Sequence, residues 1–409
     1  MAVFEYKVRD RSGKVITGTT EALSERDVAN SLRQKGYFVT EIKAPKSGLQ
    51  TDLKLPKWLD IGSVPNVRDI TIFSRQFATV INAGLPVVQS LAILQRQAPK
   101  EGLKDALKQV REDVETGQQL SNGLAKHPRL FNKLYIYLVK AGEVSGNLDG
   151  ILDRIAAYME KQAALRGKIK TALTYPTVVL VIALAVTWFL LTGIVPQFAT
   201  ILDQLGGDLP VITKALIAVS DFLRYQWYIM IGLIVAVVVG LGFYYRTKSG
   251  RRVLDGFVLR MPVVGTLVQK SAIASFSNTF GLLLRSGVNI IESIEITKGT
   301  AGNAIVEDIL DETKDSVQRG EQISQTLMKY PRVFPPMVSS MVAIGEETGA
   351  VDGMLQKVAD FYEREVDEAV DSLTAALEPM LIVFLGVIVG FIVAGMFLPM
   401  FSIIGQLSG

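Results

Sequence analysis

The chain has 409 residues, 49% of them hydrophobic, with a net charge of +3. So balanced a charge makes no electrostatic case for nucleic acid. The absence of cysteine excludes a disulfide framework, a thiolate zinc site and a cysteine nucleophile. A mean hydropathy of +0.31 points to membrane-spanning segments.

Residues 1–43 read as a small mixed unit. Val3 to Val8 alternates as a strand does, Asp10-Arg11-Ser12-Gly13 makes a turn, and Val15 to Thr20 is the return strand. Ser24 is the expected N-cap of a helix with Val28, Ala29 and Leu32 on its apolar face. Gly36 ends that helix, and Tyr37 to Ile42 forms a third strand. The opening residues lack the basic and apolar regions of a signal peptide, so the N-terminus is expected in the cytoplasm. Residues 44–66, with three prolines, read as a linker.

A first helical bundle is expected over 67–171. Its helices run from Val67 to Ala83 (closed by Gly84), from Pro86 to Gln97, from Gly102 to Glu115 (stopped by Gly117), briefly after Ser121, and from Leu130 to Lys140. Nothing here alternates like a strand, so the reading is antiparallel helical hairpins. A long helix from Leu148 then carries Lys161, Arg166, Lys168 and Lys170 into 172–194, which are 23 residues without a charge. At 1.5 Å per residue that is about 35 Å, enough to cross a bilayer. Pro196 is expected to end it.

Residues 195–226 read as a segment outside the membrane containing an amphipathic helix, Val211–Leu223. A second span follows at 227–245, with Trp227 and Tyr228 at one end and Tyr244 and Tyr245 at the other. Arg246, Lys248, Arg251, Arg252 and Arg260 come next, so basic residues flank the same side of both spans and set the N-terminus inside. A second cytoplasmic bundle is expected over 246–377, a third span over 378–401 with Met380–Leu398 as its core, and a short outer tail at 402–409. The residues before that core are acidic: Glu363, Glu365, Asp367, Glu368, Asp371 and Glu378. They are expected to lie against the basic end of the first long helix, with Lys168 facing Asp371.

The two bundles are copies of one unit. An offset of 203 residues, as between Gly142 and Gly345, aligns 73–198 on 276–401 without a gap. Phe73, Ser74, Phe77, Gly84, Gly117, Pro128, Phe131, Pro176, Pro196 and Phe198 all find their own residue type in the second copy, which indicates tandem duplication. The best-matched stretch is Gly142-Glu143-Val144-Ser145-Gly146-Asn147-Leu148-Asp149 against Gly345-Glu346-Glu347-Thr348-Gly349-Ala350-Val351-Asp352. Two readings stay open. The glutamates cap the helix that follows while the glycines supply backbone angles, or the exposed turns meet a partner. Asp149 and Asp352 suit the positive end of the following helix. Pro176, Pro196, Pro379 and Pro399 are candidate hinges of the membrane helices. His127, the single histidine, is matched by Tyr330 and reads as an aromatic filling a turn. No phosphate-binding Gly-rich loop with its Lys-Ser/Thr appears, and the cores of the spans hold no Asp, Glu, Lys, Arg or His to mark an ion path. No enzyme activity, cofactor or metal is therefore expected; a transporter subunit and a membrane-anchored hydrolase are the alternatives.

The N-terminal pattern Phe4-Glu5-Tyr6-Lys7-Val8-Arg9-Asp10, the paired Gly-Glu-x-Ser/Thr-Gly stretches and the two spans closing on Pro-x-Phe together resemble one family. It is the inner-membrane platform protein of type IV pilus assembly and type II secretion (PilC/GspF-type). One departure is Glu378, which stands where the first repeat has Tyr175. The resemblance implies an all-α membrane protein with two cytoplasmic bundles and a small α+β N-terminal domain. It also implies coupling of cytoplasmic assembly and retraction ATPases to pilin or pseudopilin transmembrane helices, contact with other inner-membrane assembly proteins and with lipid, and homo-oligomerisation. Platform proteins of this type act in pilus assembly or, alternatively, in type II secretion.

Overall fold

The computed structural model describes residues 2–9, 15–22, 25–34, 36–43, 65–204 and 210–407, divided into two compact units at Ser63/Val64. The turn at 10–13, the N-cap Ser24 and most of the linker 44–66 lie outside the described residues. In the smaller unit β1 (Ala2–Arg9) pairs antiparallel with β2 (Val15–Ala22) and with β3 (Phe38–Lys43), giving the order β2-β1-β3. Helix α1 (Glu25–Gln34) covers the sheet by burying Val28 and Leu32 against Val8. Gly36, at φ +82°, ends α1 as the sequence expects. Across β1 and β2, Tyr6 lies opposite Gly18, where a Cβ would stand 2.6 Å from the tyrosine oxygen.

In the larger unit, α2 (Val67–Asn82), α3 (Val87–Gln97), α4 (Glu101–Glu115), α5 (Leu120–Ala125), α6 (Lys133–Ser145) and α7 (Leu148–Phe189) make the first repeat. Asn66 and Asp69 form a reciprocal capping box at the start of α2. At the centre of this repeat Phe73 stacks on Phe77 and meets Phe131 edge-on, with ring centroids 5.5 and 5.8 Å apart. A π-helical turn, Leu190–Ile194, leads without a stop into α8 (Val195–Gln204). Pro196 therefore does not end the helix.

Beyond it come α9 (Val211–Tyr225), α10 (Trp227–Tyr245) and α11 (Lys248–Arg260). The second repeat is α12 (Val264–Arg285), α13 (Ile290–Lys298), α14 (Ala304–Gln318), α15 (Ile323–Met328), α16 (Pro336–Thr348) and α17 (Val351–Leu407). Its Phe276, Phe280 and Phe334 repeat the aromatic cluster at 5.6 and 5.2 Å. One substitution breaks the copy. Tyr135, whose hydroxyl meets Ser74, is replaced by Val338, and the buried hydroxyl of Ser277 has no partner among the described residues.

Among the described residues three helices are long and apolar enough to cross a membrane: α7, α10 and α17. Helix α17 runs on through Pro399 to Leu407, past the expected end of the third span. At 57 residues it measures roughly 86 Å, and the 42 residues of α7 roughly 63 Å. Each begins in a bundle and continues unbroken into a span. The bent pair α11–α12 is apolar enough to count as a broken fourth span. However, Arg251 of α11 pairs with Glu307, Arg252 with Asp308, and Asp255 accepts the Ala304 N–H at the start of α14. Those ion pairs fasten α11 to the second bundle.

Candidate functional site

The repeated Gly-Glu stretch is a helix–helix corner in both copies. Gly146 and Gly349 end α6 and α16 in the left-handed region, both at φ +70°, where a Cβ would be strained. Gly142 and Gly345 have a different task, as they lie inside those helices where the next helix crosses. A Cβ on Gly142 would sit 3.2 Å from the Leu148 Cα, and one on Gly345 would sit 2.7 Å from the Val351 Cα. The second corner is thus the tighter.

Glu143 and Glu346 are not in the turns but in the last part of α6 and α16, and neither caps the helix that follows. Glu143 accepts hydrogen bonds from the Leu120 and Ser121 N–H groups at 2.5 and 3.2 Å, which are the open end of α5. Glu346 accepts from the Ile323 and Ser324 N–H groups at 2.6 and 3.0 Å and from the Ser324 hydroxyl at 2.6 Å, at the start of α15. Each carboxylate thus caps a six-residue helix that has no side-chain cap of its own. Asp149 and Asp352 do stand in the first turn of α7 and α17, and Asp352 reaches Arg285 at 3.5 Å. Val144, between the first pair of motif residues, is 78% exposed.

The two repeats are joined by α7. Past its own bundle, it presents Leu165, Ile169 and Ala172 to the second core. The Tyr158 and Thr279 hydroxyls meet at 3.2 Å, with Thr300 adding a 3.3 Å bond to Thr279, and Arg154 donates to the Arg285 carbonyl. Burial pushes the Tyr158 phenol above its ordinary pKa. Lys161 pairs with Glu363 at 3.0 Å, which also accepts from Asn278. Lys168 is 3.1 Å from Asp367 and 3.9 Å from Asp371, so the expected charge contact forms, but one helical turn closer to the bundle. Lys270 of α12 holds Glu365. Four members of the acidic run, Glu363, Glu365, Asp367 and Asp371, thus face cations of α7 and α12. A cavity of about 660 Å³ opens among Lys161, Arg166, Lys168, Asn278, Glu363 and Asp367.

All four candidate prolines lie within helices. Pro176 is buried inside α7, and Pro379 lies inside α17. Pro196 has no N–H to give to the π-register carbonyl of Leu191, and Pro399 none to give to the Gly395 carbonyl four residues back. Helix α9 supplies both missing donors. The Ser220 hydroxyl reaches the Leu191 carbonyl at 2.5 Å, and the Thr213 hydroxyl reaches that of Gly395 at 2.7 Å. Around these bonds Leu191, Val195, Leu216 and Ile392 form a small core. Thr213 and Ser220 did not figure among the sequence-level candidates. Their spacing of seven, which puts two hydroxyls on one helix face with Leu216 between, was the available signal.

His127 sits with its Nε2 buried and unpartnered among the described residues. Burial lowers its imidazole pKa, against the pull of Asp113 and with the push of Lys126. Among the described residues no group of three or more His, Asp or Glu side chains is placed to hold a metal.

The description "type II secretion system, protein F" fits both repeats, at residues 73–196 and 276–399, and the N-terminal domain of that family fits residues 1–43. The chain belongs to this family. It is 57% identical to the type IV pilus assembly protein PilC of Thermus thermophilus, with all of both chains aligned. It is 40% identical to the PilC of Myxococcus xanthus, over all of this chain and 96% of that one. The type II secretion system protein F of Pseudomonas aeruginosa is 32% identical over the whole of both chains. The small N-terminal sheet, the repeated bundles and the three apolar helices are those expected of a membrane protein of this family.

Proposed function

We propose that the chain is the inner-membrane platform of a type IV pilus assembly machine, with the type II secretion role as the alternative. The observation that carries this reading is the end-to-end similarity to pilus assembly proteins, at higher identity than to the secretion protein F compared above. In this reading the N-terminus and both bundles lie in the cytoplasm and receive movement from motor ATPases. The spans meet the apolar helix of the pilin, and α7 and α17 carry displacement from one compartment to the other. Continuous helices of roughly 63 and 86 Å suit that task because a helix resists compression along its hydrogen bonds. The cytoplasmic orientation is supported by the basic residues beside the first two spans, and Glu363, Glu365 and Asp367 before the third span are paired with lysines. The corner residues Gly142, Glu143, Gly146 and Asp149, with Gly345, Glu346, Gly349 and Asp352, hold the bundles in shape, and exposed Val144 is the part of the corner open to a partner.

The test is a clean deletion, imaged for surface pili by electron microscopy beside a gel of secreted proteins. Lost pili with intact secretion is the expected result. Intact pili with lost secretion would move the protein to the secretion role, and no change in either would overturn both.

A further inference from the structure

Helix α9 has three faces rather than two. Thr213, Leu216 and Ser220 are buried against α17 and the π-helical turn. Lys214, Asp221 and Arg224 gather on a second face. The third is apolar and uncovered, with Val211 at 83%, Val219 at 46% and Phe222 at 40% exposure, and Ala215 between them. A helix wholly in water gains nothing from such a third face. We propose that α9 lies within the bilayer interface on the side away from the bundles, with Val211, Ala215, Val219 and Phe222 in the lipid acyl region and Lys214, Asp221 and Arg224 at the headgroups.

Depth argues for lipid as the occupant. Both carbonyls that α9 satisfies, Leu191 and Gly395, lie inside the apolar stretches of the first and third spans, so the helix is fastened below the ends of its two supports. At that depth a proline-orphaned carbonyl has no water to bond, and a protein hydroxyl must replace it. The helices on which α9 packs, α7 and α17, themselves carry exposed apolar surfaces that face lipid on the same reading. At its far end Tyr225, Trp227 and Tyr228 are all exposed where α9 turns into the second span, a cluster that belongs at the level of the headgroups. The arrangement is that of an interfacial amphipathic helix, here pinned to two spans instead of floating free.

The native chain has no cysteine, so single-cysteine variants need no background removal. Ala215→Cys, Val219→Cys, Phe222→Cys, Lys214→Cys and Asp221→Cys in the full chain would each carry a nitroxide, in vesicles of phosphatidylethanolamine and phosphatidylglycerol. Relaxation by dissolved oxygen is then compared with relaxation by a water-soluble nickel chelate. Ala215 is included because a small exposed residue tolerates the label should Phe222→Cys fail to fold. The expected result is a several-fold higher oxygen-to-nickel ratio at 215, 219 and 222 than at 214 and 221. Equal ratios on all faces would place α9 in water and overturn the proposal. Labels at 215, 219 and 222 shielded from both reagents would overturn it differently, by showing a protein cover in place of lipid.

Discussion

Removing the Glu346 carboxylate should destabilise the second bundle more than removing Glu143 destabilises the first. In Glu346→Ala the Ile323 and Ser324 N–H groups and the Ser324 hydroxyl lose their acceptor. Hydrogen bonds to a charged group contribute about 1.5–3 kcal/mol each. These are only partly buried, so the lower figure applies to the two backbone donors, and the hydroxyl can turn to water. The expected loss is about 3 kcal/mol, and somewhat less for Glu143→Ala, whose bond from Ser121 is longer (3.2 Å against 3.0 Å from Ser324) and which has no hydroxyl bond to lose. Glutamine keeps one acceptor oxygen and should cost about half as much. For a cooperative unit of this size, about 3 kcal/mol lowers Tm by roughly 6–12 °C. The assay is scanning calorimetry of the full chain in detergent micelles, with hydrogen exchange at the α15 amides as the local readout. An unchanged Tm and unchanged α15 protection in Glu346→Ala would refute the capping role. Unchanged stability with lost binding of a cytoplasmic partner would assign the glutamate to contact instead.

Two further outcomes follow from the same geometry. Gly345→Ala places a methyl 2.7 Å from backbone, against 3.2 Å for Gly142→Ala; overpacking of this kind costs about 1–3 kcal/mol. The lower Tm should belong to Gly345→Ala, and equal values would contradict the close approach of α16 and α17. His127 makes the first bundle acid-sensitive. Its imidazole pKa is lowered by burial, so the unfolded chain takes up a proton first as the pH falls. The stabilisation is therefore complete above the ordinary imidazole pKa and is lost as the pH drops through the lower folded value. His127→Gln should flatten this part of the stability–pH curve, and an unaltered slope would refute it.

Much of the architecture is legible in the sequence because it rests on local signals. The offset repeat marks both bundles, and the uncharged stretches mark the spans. Gly36, Gly84, Gly117 and Gly146 stop helices where positive φ is needed, at values of +82°, +83°, +89° and +70°. What the sequence hides depends on distant partners. A carboxylate near a helix end reads as a cap of the next helix, yet Glu143 and Glu346 reach back to helices that start 23 residues earlier. The coincidence of Leu120–Ser121 and Ile323–Ser324 with the same offset held that information, but periodicity alone cannot say which helix end a side chain meets. Pro196 reads as a stop because in water an orphaned carbonyl and a lost N–H end a helix. Here the π turn and Ser220 absorb the defect, and the helix continues. Lys168 was expected opposite Asp371 from repeat equivalence, but the helices are offset by about one turn, which brings Asp367 nearer.

The transmission of movement along α7 can be tested by breaking its continuity between the two places where it is fastened. Tyr158 binds Thr279 before Ala164, and Lys168 binds Asp367 after it. A flexible Gly-Ser segment inserted after Ala164, in a deletion strain complemented with the variant, leaves both sets of residues present and uncouples them. The proposed role predicts a strain that makes the protein, retains folded bundles by protease resistance, and displays no surface pili. Normal pili on that strain would contradict the claim that the long helices carry movement from the bundles to the membrane.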